Sequence, residues 1–148
     1  MSRDLSQGVR LNEAQEADAY ILVMPEYNHS LPAVLKNAID TVFFSIAFRH
    51  KPAATVGYSL GLSGGVRAVE HLSQILLETE AVPLRIPTLI PFVPNVFDAE
   101  GKPTNTALPV TLSVMLDDLA WLGEALKTAR AKGEPPPGAF RIRAARTK

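Results

Sequence analysis

Cysteine is absent from this chain, and with it go disulfides, thiolate nucleophiles and every cysteine-based metal site. A reducing interior is then the unforced compartment, and the cytoplasm is the expected location. Long apolar runs are missing too. The most hydrophobic stretches are broken by Pro83, Pro87, Pro91 and Pro94 or by Arg49, short of the roughly 18 residues a membrane span needs. The first twenty residues carry Asp4, Glu13, Glu16 and Asp18 and no apolar core of a signal peptide, so export is not expected. Histidine is scarce, and none follows His71. His50 and His71 have no carboxylate or second histidine at ligand spacing, so no metal is expected.

An overall excess of either charge is lacking, since 15 basic residues balance 15 acidic ones. The placement is uneven. Lys127, Arg130, Lys132, Arg141, Arg143, Arg146 and Lys148 face only Glu134 in the last 22 residues, which leaves the body acidic. A basic tail can touch nucleic acid or an acidic surface. This one holds Pro135-Pro136-Pro137-Gly138 and little apolar surface to offset the entropy of ordering. The expectation is one domain over residues 1–126 and a flexible basic tail over 127–148, with neither nucleic acid nor membrane as partner. An apolar content of 47% and 20% charge fit an ordinary globular core.

What is present is a strand–loop–helix order that occurs twice. Residues 19–24 form a continuous apolar run, as in a strand buried on both faces of a parallel sheet. Leu31, Val34, Leu35, Ala38, Ile39, Val42, Phe43 and Ile46 then recur at helical spacing, with Ser30 placed to cap and Pro32 tolerated in the first turn. Residues 53–58 read as a second central strand, and Val66, Val69, Leu72, Ile75, Leu76 and Thr79 mark a second helix. A third strand over 82–90 turns Val82, Leu84 and Ile86 inward, but Pro83 and Pro87 demote it to a sheet edge. After a Pro-rich loop, Thr104, Asn105 and Thr106 start a last helix with the stripe Leu108, Leu112, Met115, Leu116, Leu119, Leu122 and Leu126. Trp121 reads as core packing at helical spacing. The repeated order predicts an α/β fold, a three-layer parallel sheet with right-handed crossovers.

Two loops attract chemistry because they follow strands, and in an open parallel sheet ligands bind at the carboxyl ends of strands. The first, Pro25-Glu26-Tyr27-Asn28, presents a ring, a carboxylate and an amide in succession, which suits a flat ligand with polar edges. The second contains Ser59, Gly61, Gly64 and Gly65. Its glycines permit positive φ and close approach, and its N–H groups meet a helix start, where electron-rich oxygens are favoured. A plain strand-to-helix turn explains that loop equally well. Gly57-Tyr58-Ser59-Leu60-Gly61 also fits the G-x-S-x-G nucleophile elbow, with Ser59 as a hydrolase nucleophile, but the histidine that should come last in the chain is missing. His29 reads as a hydrogen-bonding or exposed turn residue. No catalytic acid or base stands out.

Taken together, the run from Pro25 to Asp40 (Pro25-Glu26-Tyr27-Asn28-His29-Ser30-Leu31-Pro32 at its head), Lys51-Pro52 before a strand, and Ser59-x-Gly61-x-x-Gly64-Gly65-x-Arg67 resemble the NADPH-dependent FMN reductase family of flavodoxin-like proteins. The resemblance covers about residues 10–126. It implies that Pro25, Glu26, Tyr27 and Asn28 border the isoalloxazine ring of FMN, and that Ser59, Gly61, Gly64 and Gly65 approach its other side. It further implies hydride transfer from NADPH or NADH to flavin, quinone, azo-dye or similar small acceptors, and a homodimer or homotetramer with the 31–46 helix near the partner. The family's opening strand and its G-S-x-R-x-x-S phosphate loop have no match here. Relative to the order 2-1-3-4-5, the expectation is an N-terminally truncated flavodoxin-like sheet holding the equivalents of strands 3, 4 and 5. A flavin-free domain serving as an assembly or interaction module is therefore the alternative.

Overall fold

A computed structural model describes residues 14–147. Strand β1 (Tyr20–Pro25) leads through a tight turn to helix α1 (Ala33–Val42), and β2 (Pro52–Tyr58) leads through the glycine loop to α2 (Val66–Glu78). Two short strands follow, β3 (Val82–Pro83) and β4 (Thr88–Ile90), then the long helix α3 (Ala107–Ala131) and α4 (Gly138–Arg146). All strand pairings are parallel and all involve β2, which pairs with β1 along its whole length from Tyr20 opposite Ala53 to Pro25 opposite Tyr58. β2 is therefore the centre of the sheet, and its small side chains let helices approach both faces.

Three layers result. On one face Leu22, Met24 and Ala53 meet Ile39, Val42 and Phe48 and the α2 residues Ala68, Val69, Leu72 and Leu76. On the other, Ala54 and Val56 meet Met115 and Leu119 of α3. The alternation along β2 sends odd positions to one core and even positions to the other, as strand geometry requires. Among the described residues α3 covers β2 and leaves β1 bare: Ile21 and Val23 stay 48% and 62% exposed. β1 is thus an open edge beside a groove of about 590 Å³ lined by Tyr20, Ile21, Val23, Val34, Leu35 and Phe48.

The structure departs from the sequence reading in several places. The 82–90 strand is split, pairing with β2 at Val82–Pro83 and again at Thr88–Ile90. Pro87 has no N–H for the ladder, and Ile86, expected inward, is exposed. Ser30 does not cap α1; the helix starts after Pro32, and the Ser30 hydroxyl lies 2.9 Å from His71 Nδ1. α1 ends at Val42 in a 3-10 turn that leaves Phe44 93% exposed. In α3, Leu112 and Leu116 face solvent and Trp121 is 75% exposed, so the stripe that packs is Met115, Leu119 and Gly123. Asn105 opens that helix by accepting hydrogen bonds from the Ala107 and Leu108 amides at 3.1 and 3.0 Å.

The boundary expected at residue 126 is not a structural one, because α3 runs on to Ala131 and its end is tied to the sheet. Arg130 donates to Asp18 at 2.6 Å and to the His50 carbonyl at 2.8 Å, and buried Arg49 donates to Glu80 at 2.5 Å and to the Pro135 carbonyl at 2.7 Å. The fold also gives His50 the carboxylates that local sequence lacked, Glu134 at 2.6 Å and Glu80 at 3.9 Å. Residues 138–146, expected to be flexible, form α4.

Gly65 shows how tightly the site is packed onto β2. At φ 87° a Cβ there would lie 2.6 Å from the Tyr58 amide nitrogen, whereas one on Gly61 meets nothing within 4 Å. Gly65→Ala is expected to lose about 3 kcal/mol of stability through combined strain and overlap. Gly61→Ala should stay within about 0.5 kcal/mol. Urea denaturation of the two variants checks the contrast.

Candidate functional site

Both loops singled out in the sequence leave the carboxyl ends of paired strands and meet. The β1 loop is a two-residue reversal: Tyr27 and Ser30 exchange backbone hydrogen bonds at 2.9 and 3.0 Å, with Asn28 at φ 49° and His29 at φ 69° between them. Two successive positive φ values give the turn a type I′ character, which asparagine tolerates well and histidine less so. Tyr27 is left exposed on the rim. The Glu26 amide donates to the Tyr58 carbonyl at 2.9 Å, which continues the β1–β2 pairing into the loops themselves.

The β2 loop is knitted to a third segment that sequence reasoning did not assign to the site, residues 90–93. Ser59 donates to the Ile90 carbonyl, Phe92 to that of Gly61 and Val93 to that of Ser59, each at 3.1 Å. The missing side chains of Gly64 and Gly65 point into this packing, toward Ile90, Pro91 and Tyr58, and only Gly61 faces open space. Leu60, Leu62 and Phe92 stand exposed around it. The result is an apolar-rimmed ledge at the carboxyl edge of the sheet, open to solvent.

Glu26 joins the two loops. Its side chain is 6% exposed, and its carboxylate accepts from Arg67 Nη2 at 2.5 Å and from the Ser63 hydroxyl and the Arg67 amide at 3.3 Å each. Burial alone pushes its carboxyl up, but the hydrogen bond and charge of Arg67, with the Arg67 amide and Ser63, more than reverse this and hold it below the usual carboxylate range. Arg67 in turn lies 3.1 Å from His29 Nδ1. Arg67 and Ser63 are positions at this candidate site that residue-level reading missed: Arg67 stood in the resemblance motif without a role, and nothing local shows that its partner lies 41 residues earlier.

Ser59 Oγ donates to the Gly61 carbonyl at 2.9 Å and lies 3.3 Å from Ser63 Oγ. Neither group is a base, and among the described residues no imidazole contacts Ser59, so the structure offers the hydrolase reading no triad. No group of metal-ligating side chains occurs among the described residues. Nor is any described helix long and apolar enough to cross a membrane.

Unspent donors mark what the ledge suits. Among the described residues the backbone N–H groups of Asn28, His29, Leu60, Gly61 and Leu62 make no backbone hydrogen bond and lie on exposed residues, open to solvent or a ligand. Arg67 Nε is buried without a partner. A buried donor without a partner calls for an explanation, and solvent-facing amides beside exposed apolar side chains suit a planar ligand with an electron-rich edge. The pyrimidine side of an isoalloxazine has that chemistry.

Residues 11–91 match the family model described as NADPH-dependent FMN reductase. Over 93 residues the chain is 42% identical to an NAD(P)H-dependent FMN reductase of Pseudomonas aeruginosa, taking in 61% of this chain and 50% of that protein. It is 38% identical over 77 residues to a quinone reductase of Escherichia coli K12, taking in 51% and 41%. Among solved structures, FerB, a flavoenzyme NAD(P)H:(acceptor) oxidoreductase from Paracoccus denitrificans, superposes with a TM-score of 0.68 at 25% identity, over 86% of this chain and 70% of that one. The chain spans about half the length of the curated relatives it matches.

Glu26→Ala leaves Ser63 and the Arg67 amide without an acceptor and Arg67 without its counter-charge. The half-exposed guanidinium is partly solvated, so the expected loss is about 1–2 kcal/mol. Because the folded-state carboxyl is lowered, the wild-type contribution is fully present above the unfolded carboxyl's range and disappears as pH falls through the lower folded value. Urea midpoints of wild type and Glu26→Ala should differ at pH 7 and converge in strong acid.

Proposed function

The chain belongs to the NADPH-dependent FMN reductase family and has its flavodoxin-like three-layer fold, and on that premise we propose that it works as a flavin-dependent NAD(P)H oxidoreductase. FMN would lie on the ledge between Pro25-Glu26-Tyr27-Asn28 and Ser59, Gly61, Gly64 and Gly65. When bound, it supplies the hydride and electron chemistry between NADPH or NADH and a small acceptor such as a quinone or free flavin. The observation that carries this reading is the Glu26 carboxylate, which binds both loops into one surface with free backbone donors along it.

The chain's own residues then have separable tasks. Tyr27 offers apolar ring contact at the rim, and Leu60, Leu62 and Phe92 give the ledge apolar neighbours that lower the local dielectric. The amides of Leu60, Gly61 and Leu62 are fixed dipoles that stabilise negative charge on the ligand's edge without reorganising. No side-chain acid or base is needed, consistent with a site whose only buried carboxylate is committed to Arg67 among the described residues. Gly64 and Gly65 act indirectly, by allowing the loop to press onto β2 and β4.

A homo-oligomer fits the exposed Phe43 and Phe44 at the end of α1, and the cytoplasm fits a cysteine-free chain. A second reading, an interaction module without flavin, draws on the bare β1 edge with Ile21 and Val23 exposed, since an apolar open strand is a template for another chain. One titration separates the two. Purified protein mixed with FMN should quench its fluorescence, and the yellow complex should oxidise NADPH or NADH when a quinone is supplied. Absence of quenching at any pH between 6 and 8 overturns the oxidoreductase reading and favours the module.

A further inference from the structure

The 90–93 segment does more than tie down the glycine loop, because it is also one wall of a cleft of about 460 Å³ that faces the first turns of α3. Ile90, Phe92, Val96 and Leu108 make the cleft largely apolar, and Asn95 and Asn105 stand in it as carboxamides. Among the described residues no charged side chain lines it. Phe92 is the outlier. It holds φ 48°, a left-handed conformation that strains a bulky residue and that glycine adopts freely. Two amides pin it there, its own donating to the Gly61 carbonyl and that of Val93 to the Ser59 carbonyl, each at 3.1 Å. Burial does not repay the strain, since the residue stays 46% exposed. An aromatic side chain held strained and open where the ledge meets a cleft is of the kind kept at binding sites.

We propose that this cleft is the subsite for the electron acceptor and takes a neutral, planar aromatic ring bearing a carbonyl oxygen, which is the chemistry of a quinone. Phe92 supplies the ring contact. Asn105 supplies the polar determinant, because its Oδ1 is already spent in accepting from the Ala107 and Leu108 amides at 3.1 and 3.0 Å. Only Nδ2 is left for a ligand, as a donor whose orientation the helix cap fixes. A donor held in this way selects for an accepting atom, and a cleft without charged side chains selects against an anion. A ring carbonyl meets both conditions; a carboxylate meets only the first.

That the bound ring accepts electrons rests on the flavin-ledge reading; the cleft itself does not, so it is tested in flavin-free protein. The probe is 2-methyl-1,4-naphthoquinone, with 2-methylnaphthalene as its carbonyl-free counterpart, and a chain without cysteine cannot trap the quinone as a thiol adduct. An amide-resolved NMR titration should shift residues 90–96 and 105–111 with the quinone. Asn105→Asp keeps an oxygen to cap the helix but replaces the donor by a charged acceptor, so the thermal midpoint should hold while quinone affinity falls about tenfold and that for 2-methylnaphthalene does not change. Phe92→Gly removes the ring and the strain together, and should weaken both ligands about tenfold at an equal or higher midpoint. Shifts confined to other residues, quinone affinity unchanged in either variant, or a loss of affinity that comes only with a lowered midpoint overturns the subsite. Quinone binding as expected in a protein that takes up no FMN keeps the cleft and overturns the flavin reading instead.

Discussion

One buried carboxylate holds the carboxyl edge of this sheet together. Glu26 follows β1 directly, Arg67 and Ser63 belong to the segment after β2, and the 2.5 Å ion pair with its two accompanying hydrogen bonds converts two independent segments into one surface. An acid at this position invites a catalytic role. Its partners argue otherwise, because a carboxylate with three donors in a site of low exposure is stabilised in its ionised form and is a poor proton carrier near neutrality. Its chemistry is spent on geometry, and the ledge can then present backbone dipoles where charge would develop.

That ledge is rigid because it grows from the most constrained strand. β2 pairs on both sides and is packed on both faces, so the register from Tyr20–Ala53 to Pro25–Tyr58 fixes where the two loops begin. Gly65 then lets the loop return against Tyr58, and the 90–93 segment ties it from the far side. Sites placed at the ends of strands inherit the precision of the sheet, which is why loop chemistry at this edge can be exact while the rest of the surface varies.

Much of this was legible in the residues. Apolar periodicity located β1, α1, β2 and α2 to within a residue or two at most ends, and the two strand-terminal loops stood out by composition alone. What was not legible has a common physical origin in long-range contact. Ser30 looked like a cap, yet its hydroxyl is drawn to His71, 41 residues away. Trp121 and Leu116 lie at core spacing, but α3 offers its packed stripe to β2 only, and nothing described covers the remaining apolar side chains. Composition suggested a free tail beyond residue 126, whereas Arg49, Arg130 and Asp18 tie the end of α3 and Pro135 to the foot of the sheet. In the site, the resemblance motif contained Arg67 but could not say that its charge is answered by Glu26.

The two ends of the sheet use ionic contacts for different purposes. At the foot, Arg49, His50, Glu80 and Glu134 form a network in which both imidazole nitrogens of His50 face carboxylates, and it ties the chain beyond α3 to the sheet. At the carboxyl end, the Arg67 guanidinium lies against His29 and is answered by Glu26, which ties the loop after β1 to α2. An arginine thus anchors each end, Arg49 buried at the foot and Arg67 half-exposed at the edge, so the first is a fixture of the fold and the second borders the open ledge.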